Sequence, residues 1–263
     1  FDNLDFSLGL DINSFKIQNT GLTINLANIS YVYKLQFDND LFFLPAVSLG
    51  FGSSSVNPGN LIFEDQLNTT TGFINTESID RLAPVISNVN YLDLGASFML
   101  HSEKFMAGLT LKHLNKPNTS FNKEVPFEKP IKISVQGAYE FNINPYERRY
   151  LPRYSYLFAY GSFTKFGDSV LIYLSQDFQL GEFSLGLSQQ ASSLNTFALN
   201  NVGVSIGLAV ENFDFGILYN FPFQSPGAVF SPSIFELFVT FDFSIYRRNR
   251  RGQYNRLQTD NYF

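Results

Sequence analysis

The sequence contains no cysteine, only two histidines and no long hydrophobic run, and charged residues make up 16% of its 263 positions. Without cysteine there is no disulfide framework, no thiolate metal site and no cysteine nucleophile. Because no stretch of about eighteen apolar residues occurs, a transmembrane helix is excluded, and only closed β-strands remain for crossing a bilayer. The net charge of −5 argues against a nucleic-acid partner.

Aromatic residues are abundant instead, at 17% of the chain with 30 phenylalanines, while the mean hydropathy is −0.03. This combination favours alternating β-strands in a single domain. The chain begins at Phe1 without a methionine, a basic segment or an apolar stretch, so we expect that any signal peptide has already been removed.

Apolar residues alternate with polar or small ones from the start of the chain, as in Leu4, Phe6, Leu8, Leu10 and Ile12. A period of two predicts strands, because a helix would mix apolar and polar residues on one face. The pattern predicts about twelve strands, with a bulge near Ala27 and Asn28 where the apolar positions change parity. The predicted strands are 4–12, 22–37, 41–51, 91–100, 105–114, 131–141, 154–163, 170–180, 183–189, 202–210, 213–221 and 234–243.

Short and long links alternate between these strands. Short links are predicted at 38–40, 101–104, 180–182 and 211–212, and long ones at 52–90, 115–130, 190–201 and 222–233, while the link 142–153 breaks the scheme. Outer-membrane barrels have short periplasmic turns and long outer loops, so both chain ends are expected in the periplasm. We predict a transmembrane antiparallel β-barrel over 1–246, with twelve to fourteen strands in the whole protein, and a basic periplasmic tail over 247–263.

One face of each predicted strand is apolar, as expected for contact with outer-membrane lipid, whereas the other face is mixed. The polar residues expected to face the lumen include Asp93, Lys112, Lys132, Gln136, Glu140 and Glu236. Bulky residues are assigned to the same face, among them Phe42, Leu44, Met99, Leu157, Leu171 and Phe238, and favour a narrowed or plugged lumen over a selective pore.

A soluble β-sandwich also has many alternating strands. Sandwich strands run about five or six residues, whereas the predicted strands run about ten, the length that crosses a bilayer at a tilt. The membrane interpretation is therefore preferred.

Three segments of the sequence stand out as motifs. Residues 109–121 read Leu-Thr-Leu-Lys-His-Leu-Asn-Lys-Pro-Asn-Thr-Ser-Phe. Leu151, Pro152 and Arg153 precede an aromatic strand, and residues 216–220 and 231–236 lead into the last strand. Together these segments resemble the PorP/SprF family. The sequence departs from the family pattern at Phe235, where a histidine would precede the glutamate, and in lacking an N-terminal Asn-Pro-Ala segment.

The resemblance implies a non-enzymatic outer-membrane protein of Bacteroidota, linked to type IX secretion and gliding motility, that anchors or routes large surface adhesins. It also implies other secretion components as partners, including a periplasmic peptidoglycan-binding protein. His113, Asn115, Pro117 and Asn118, in the motif loop, are candidate partner-binding residues. A transport barrel for a small or hydrophobic ligand is the alternative.

No cofactor, metal or catalytic site is expected. His101 and His113 have no second ligand at metal-binding spacing, and Glu64, Asp65, Glu77 and Asp80 are interpreted as a solvated loop, with calcium binding as the minority alternative. The tail carries Arg247, Arg248, Arg250 and Arg251 and is interpreted either as a disordered extension or as a docking segment for an acidic periplasmic partner or an anionic membrane surface.

Overall fold

The computed structural model describes residues 5–17, 21–38, 40–57, 62–67, 70, 72, 74, 78–79, 88–122, 125–146, 148–152, 155–193, 197–210, 213–223 and 233–241. These residues form thirteen β-strands and one 3-10 turn, Glu64–Gln66. In this part of the chain, no helix has the length and apolar character needed to span a bilayer. The strands are β1 Phe6–Ile17, β2 Leu22–Tyr33, β3 Leu35–Asp38, β4 Leu41–Ser55, β5 Asn88–His101, β6 Phe105–Lys112, β7 Lys132–Asn142, β8 Ser155–Phe166, β9 Ser169–Leu180, β10 Phe183–Ser193, β11 Phe197–Val210, β12 Phe213–Pro222 and β13 Ile234–Phe241.

All of these strands belong to one antiparallel sheet, in which the strands pair in sequence order from β1 to β13 except for β3. The short β3 continues the course of β2 after Lys34 and pairs with β4, so the main path of the sheet has twelve strands. The predicted all-β antiparallel fold is confirmed. Within the described residues β1 and β13 are not paired with each other, so both remain sheet edges.

The sheet is strongly curved. Phe158 on β8 and Phe238 on β13 line one cavity, although five inter-strand steps separate their strands in the sheet order. Five steps of about 4.8 Å would place them about 24 Å apart on a flat sheet. The face that carries the buried residues is therefore the concave, inner face.

The outer face carries a continuous band of exposed apolar residues. On β4 it runs from Phe43 to Phe51 and includes Val47 and Leu49, which are 60% and 52% exposed. These nine positions extend about 26 Å along the strand, close to the height of the apolar band of outer-membrane barrels. Aromatic side chains pack against one another at the tight-turn end of the band: the rings of Phe43 and Phe98 are stacked, and those of Phe213 and Phe241 are tilted.

The predicted bulge near Ala27 and Asn28 is wrong. Residues 22–33 pair with β1 in an uninterrupted register, and residues 23–32 do so with β4. The apolar positions change parity because the strand leaves the apolar band of the outer face. Beyond the band, Ser14 and Asn25 share the outer face and are hydrogen-bonded at 2.7 Å. Apolar side chains such as Leu26 then occupy the inner face. The strand is instead interrupted at Lys34, between β2 and β3.

Two further expectations require correction, one about a link and one about the face on which a residue lies. The predicted long link 190–201 is mostly strand, because β10 continues to Ser193 and β11 begins at Phe197, with a register shift between Gln190 and Ala191. Leu157 lies on the outer face, since it is directly opposite Phe141 and Phe178. The anomalous link after β7 is indeed long, and β8 and β9 are joined by only two residues at the opposite end.

Candidate functional site at the loop end of the inner face

The motif loop between β6 and β7 begins with a change in backbone direction at His113. Its φ of 60° lies in the left-handed region, where histidine is among the more frequent non-glycine residues. This turn ends the pairing of β6 with β7 but keeps the chain beside β5, because the Leu114 N–H donates to the Leu94 carbonyl at 2.9 Å.

Asp93 on β5 holds both the backbone and the side chain of His113. The His113 N–H donates to Asp93 Oδ1 at 3.1 Å, and His113 Nδ1 lies 2.9 Å from Asp93 Oδ2. The Asp93 side chain is only 7% exposed, and the His113 side chain is 14% exposed. Because hydrogen bonds to charged groups are strong when shielded from water, the bond from the His113 N–H to the Asp93 carboxylate fixes the start of the loop against the inner wall.

Asn115 extends the sheet with its side chain. Its Oδ1 accepts a hydrogen bond from the Leu94 N–H at 3.0 Å, and its Nδ2 donates to the Leu92 carbonyl at 2.8 Å. An amide side chain carries the same donor and acceptor as a peptide group. Asn115 therefore takes the place of a backbone partner for β5 where β6 has already ended.

The rest of the loop folds back on itself around Pro117 and Asn118. Pro117 is buried, and its carbonyl accepts from the Lys129 N–H at 3.0 Å. Asn118 Oδ1 accepts from the Ser120 and Phe127 N–H groups at 3.0 and 3.1 Å. The four candidate residues of the motif are thus brought together, and the polar contacts of the His113, Asn115 and Asn118 side chains hold the loop itself in shape.

Tyr91 and Lys129 form a further link that the sequence pattern did not single out. Lys129 Nζ lies 2.8 Å from the hydroxyl of Tyr91, which is only 7% exposed. The Tyr91 ring lies across Gly52, where an added Cβ would collide with it. In the sequence, a tyrosine and a glycine at inward positions of neighbouring strands were the available signal for this packing. Only the register shows that Tyr91 and Gly52 lie directly opposite each other.

The predicted lumen residues lie on the inner face, but they are spread along it. Asp93, Lys112 and Lys132 are at the loop end, and Lys112 is directly opposite Lys132. Gln136 accepts a hydrogen bond from the Tyr160 hydroxyl at 3.2 Å. Glu140 is nearer the tight-turn end, directly opposite Phe158. Glu236 is on the exposed edge strand β13, directly opposite Leu218.

The tight-turn end of the inner face contains a cavity of about 480 Å³. Its walls combine aromatic and polar side chains. They include Phe158, Gln179, Ser184, Asp214, Phe238 and Thr240. Such a space suits a small amphipathic molecule.

The link after β7, which contains Leu151 and Pro152, is organised by Asn144. This residue is 4% exposed. Its Oδ1 accepts from the Arg148 N–H at 2.7 Å, and its Nδ2 lies within hydrogen-bonding distance of three carbonyl oxygens, the nearest being that of Pro152 at 3.1 Å. This contact set explains how a long link can be ordered at the end of the sheet where tight turns prevail.

Within the described residues there is no group of three histidine, aspartate or glutamate side chains arranged to hold a metal ion. Of the acidic loop residues, Asp65 accepts hydrogen bonds from the Ser78 hydroxyl and the Ile79 N–H, each at 2.7 Å. Glu77 and Asp80 lie outside the described residues, as do the tail arginines 247, 248, 250 and 251.

An antiparallel sheet with an exposed apolar outer band, aromatic residues at its tight-turn end and a polar inner face defines the class of outer-membrane β-barrel proteins. Within that class, residues 2–241 match the model of the family described as type IX secretion system membrane protein PorP/SprF. The chain belongs to this family, and it is an outer-membrane protein.

Among solved structures, the chain is similar to an outer membrane channel from Pseudomonas putida F1. The two are 12% identical, the match covers 89% of this chain and 90% of that one, and the TM-score is 0.40, which is too low to support an argument about function. No curated protein is significantly similar to the chain.

Proposed function

We propose that this protein is a non-enzymatic component of the type IX secretion and gliding apparatus that anchors or routes secreted adhesins at the cell surface. The motif loop between β6 and β7, in its described residues 113–122 and 125–131, is the proposed contact surface. The observation that carries this proposal is the attachment of the loop to β5 through Asp93 and Asn115. By the usual arrangement of long outer loops, this end of the sheet faces the cell exterior.

The loop combines a fixed backbone with exposed apolar side chains. Val125 and Phe127 are 53% and 60% exposed, while the Phe127 backbone is bonded to Asn118 and Thr119. Apolar groups presented to water on a fixed backbone favour protein contacts. Because the loop is already ordered, binding requires little further loss of conformational entropy.

The test is co-purification from cells after gentle detergent extraction, followed by mass spectrometry. We expect secretion components or a large surface adhesin with the unaltered protein, and a marked loss of them with Phe127→Ser. Ile62→Ser is the matched control, because Ile62 is 54% exposed in the long link between β4 and β5. Unchanged co-purification with Phe127→Ser would contradict the assigned surface.

The basic tail is proposed to dock on the periplasmic side, on a peptidoglycan-binding protein or another acidic partner. Its support is the clustering of four arginines within residues 247–251. Removing residues 247–263 should abolish recovery of periplasmic partners and leave surface cargo bound. If the shortened protein recovers periplasmic partners as well as the full-length protein does, docking by the tail is refuted.

Transport of a small ligand is the second candidate function, and the cavity of about 480 Å³ at the tight-turn end favours it. Ion conductance across planar bilayers measures this directly. A steady current that falls when Thr240→Trp fills the cavity would support transport. If the protein conducts no ions, partner binding in the secretion machinery is the remaining candidate function.

A further inference from the structure

Two lysines face each other on the inner face at the loop end. Lys112, the last residue of β6, is directly opposite Lys132, the first residue of β7. Directly opposite residues in an antiparallel pair have Cβ atoms about 4.5–5.5 Å apart, and like charges at such positions are destabilising. A negatively charged group bound between the two lysines would relieve this repulsion.

The neighbouring strands do not supply that charge in the same row. Across β5 the row continues with Gly95, and across β8 it continues with Phe166. Asp93, the next inward-facing residue along β5, already contacts the His113 side chain and backbone. In the sheet, the two lysine positions are therefore flanked by a glycine on β5 and a phenylalanine on β8.

A row of hydroxyl groups lies one step below the lysines. The register aligns Ser97, Thr110, Ser134 and Thr164 across β5 to β8. Ser134 Oγ and Thr164 Oγ1 are 3.0 Å apart, and all four side chains are half-buried. Ser48 adds a hydroxyl over Gly95, where an added Cβ would collide with Ser48 Oγ.

We propose that Lys112, Lys132 and this hydroxyl row bind a soluble oxyanion, a phosphate or carboxylate group, at the loop end of the lumen. Ammonium groups supply charge-assisted hydrogen bonds to oxyanions, and hydroxyl groups supply further donors. Lys129, held at the Tyr91 hydroxyl, adds a third positive charge at the same end. The site does not depend on the proposed role in secretion.

The test is calorimetric titration of the whole protein in a maltoside detergent with inorganic phosphate or acetate, at constant ionic strength in chloride. Saturable binding of at least one of these anions is expected. Lys112→Gln and Lys132→Gln should each weaken it about tenfold or more, the effect of losing one charge-assisted hydrogen bond. Lys112→Arg, which keeps the charge, should retain most of the affinity.

Lys165→Gln is the matched control, because Lys165 is adjacent to Phe166 but lies on the outer face, directly opposite Ile133. It removes the same charge and should leave the affinity unchanged. No saturable binding of either anion, or equal weakening by Lys165→Gln, would overturn the proposal. Titration with a short-chain phosphatidylglycerol shows whether the phosphate comes from a lipid or from solution. If this lipid binds and inorganic phosphate does not, the assignment to a soluble anion is overturned.

Discussion

Replacing Asp93 with alanine should release the start of the motif loop. The substitution removes the acceptor of the His113 N–H at 3.1 Å and the carboxylate oxygen 2.9 Å from its ring nitrogen, at a side chain that is 7% exposed. A buried donor left without its partner costs about 1–3 kcal/mol. Local opening of the loop should become easier by about 2 kcal/mol, or roughly thirtyfold in its equilibrium constant.

Amide hydrogen exchange measures this effect residue by residue. The informative amides are those of Thr119, Phe127 and Lys129, which are hydrogen-bonded within the loop. Their exchange should accelerate in the Asp93→Ala variant while amides of β10 and β11 keep their protection. Asp168→Ala is the control, because Asp168 is exposed in the two-residue turn at the same end of the sheet. Unchanged loop exchange in Asp93→Ala would refute the role assigned to this carboxylate.

Three further outcomes are expected. Asn144→Ala should make the link between β7 and β8 sensitive to limited proteolysis, because it removes the side-chain contacts to Arg148 and Pro152; resistance equal to that of the unaltered protein would argue against that role. Gly216→Ala should lower the unfolding temperature, because the added Cβ would collide with the Phe238 ring, and a second substitution, Phe238→Ala, should partly restore it. Gly9→Ala is the control, because the nearest atom to its added Cβ is 3.8 Å away. If Phe238→Ala does not restore stability, the collision with Phe238 is not the cause. Ile217→Arg should destabilise the protein in lipid by about 2–4 kcal/mol, although Ile217 is 45% exposed, because the charge would lie in the bilayer. An unchanged free energy of unfolding in vesicles would contradict the assignment of this face to lipid.

Much of the outer surface could be predicted from the sequence. Alternation fixes which residues share a face, and the apolar residues Leu92, Leu94 and Phe98 of β5 do lie together on the outer face. The same rule failed at Ala27, because the apolar positions change parity both where a strand has a bulge and where its outer face leaves the apolar band. It also failed at Leu157, in a strand where Tyr156 and Phe158 are as bulky as their outward neighbour.

The candidate site could be only partly anticipated. The motif marked His113, Asn115, Pro117 and Asn118 as a set, but not their partners, since Asp93 and Leu92 are about twenty residues away in sequence. No local pattern distinguishes an asparagine that binds a partner from one that pairs with a backbone. Lys112 and Lys132 were likewise predicted to face the lumen, but the sequence alone does not show that they lie directly opposite each other.

The sequence by itself therefore determined the class of structure, the lipid-facing surface and the family, because these depend on periodicity and on local motifs. Only the tertiary structure decided which strand positions lie opposite one another, since register depends on contacts between distant segments. That register places His113 against Asp93 and Lys112 against Lys132, and so builds the held loop and the proposed anion site.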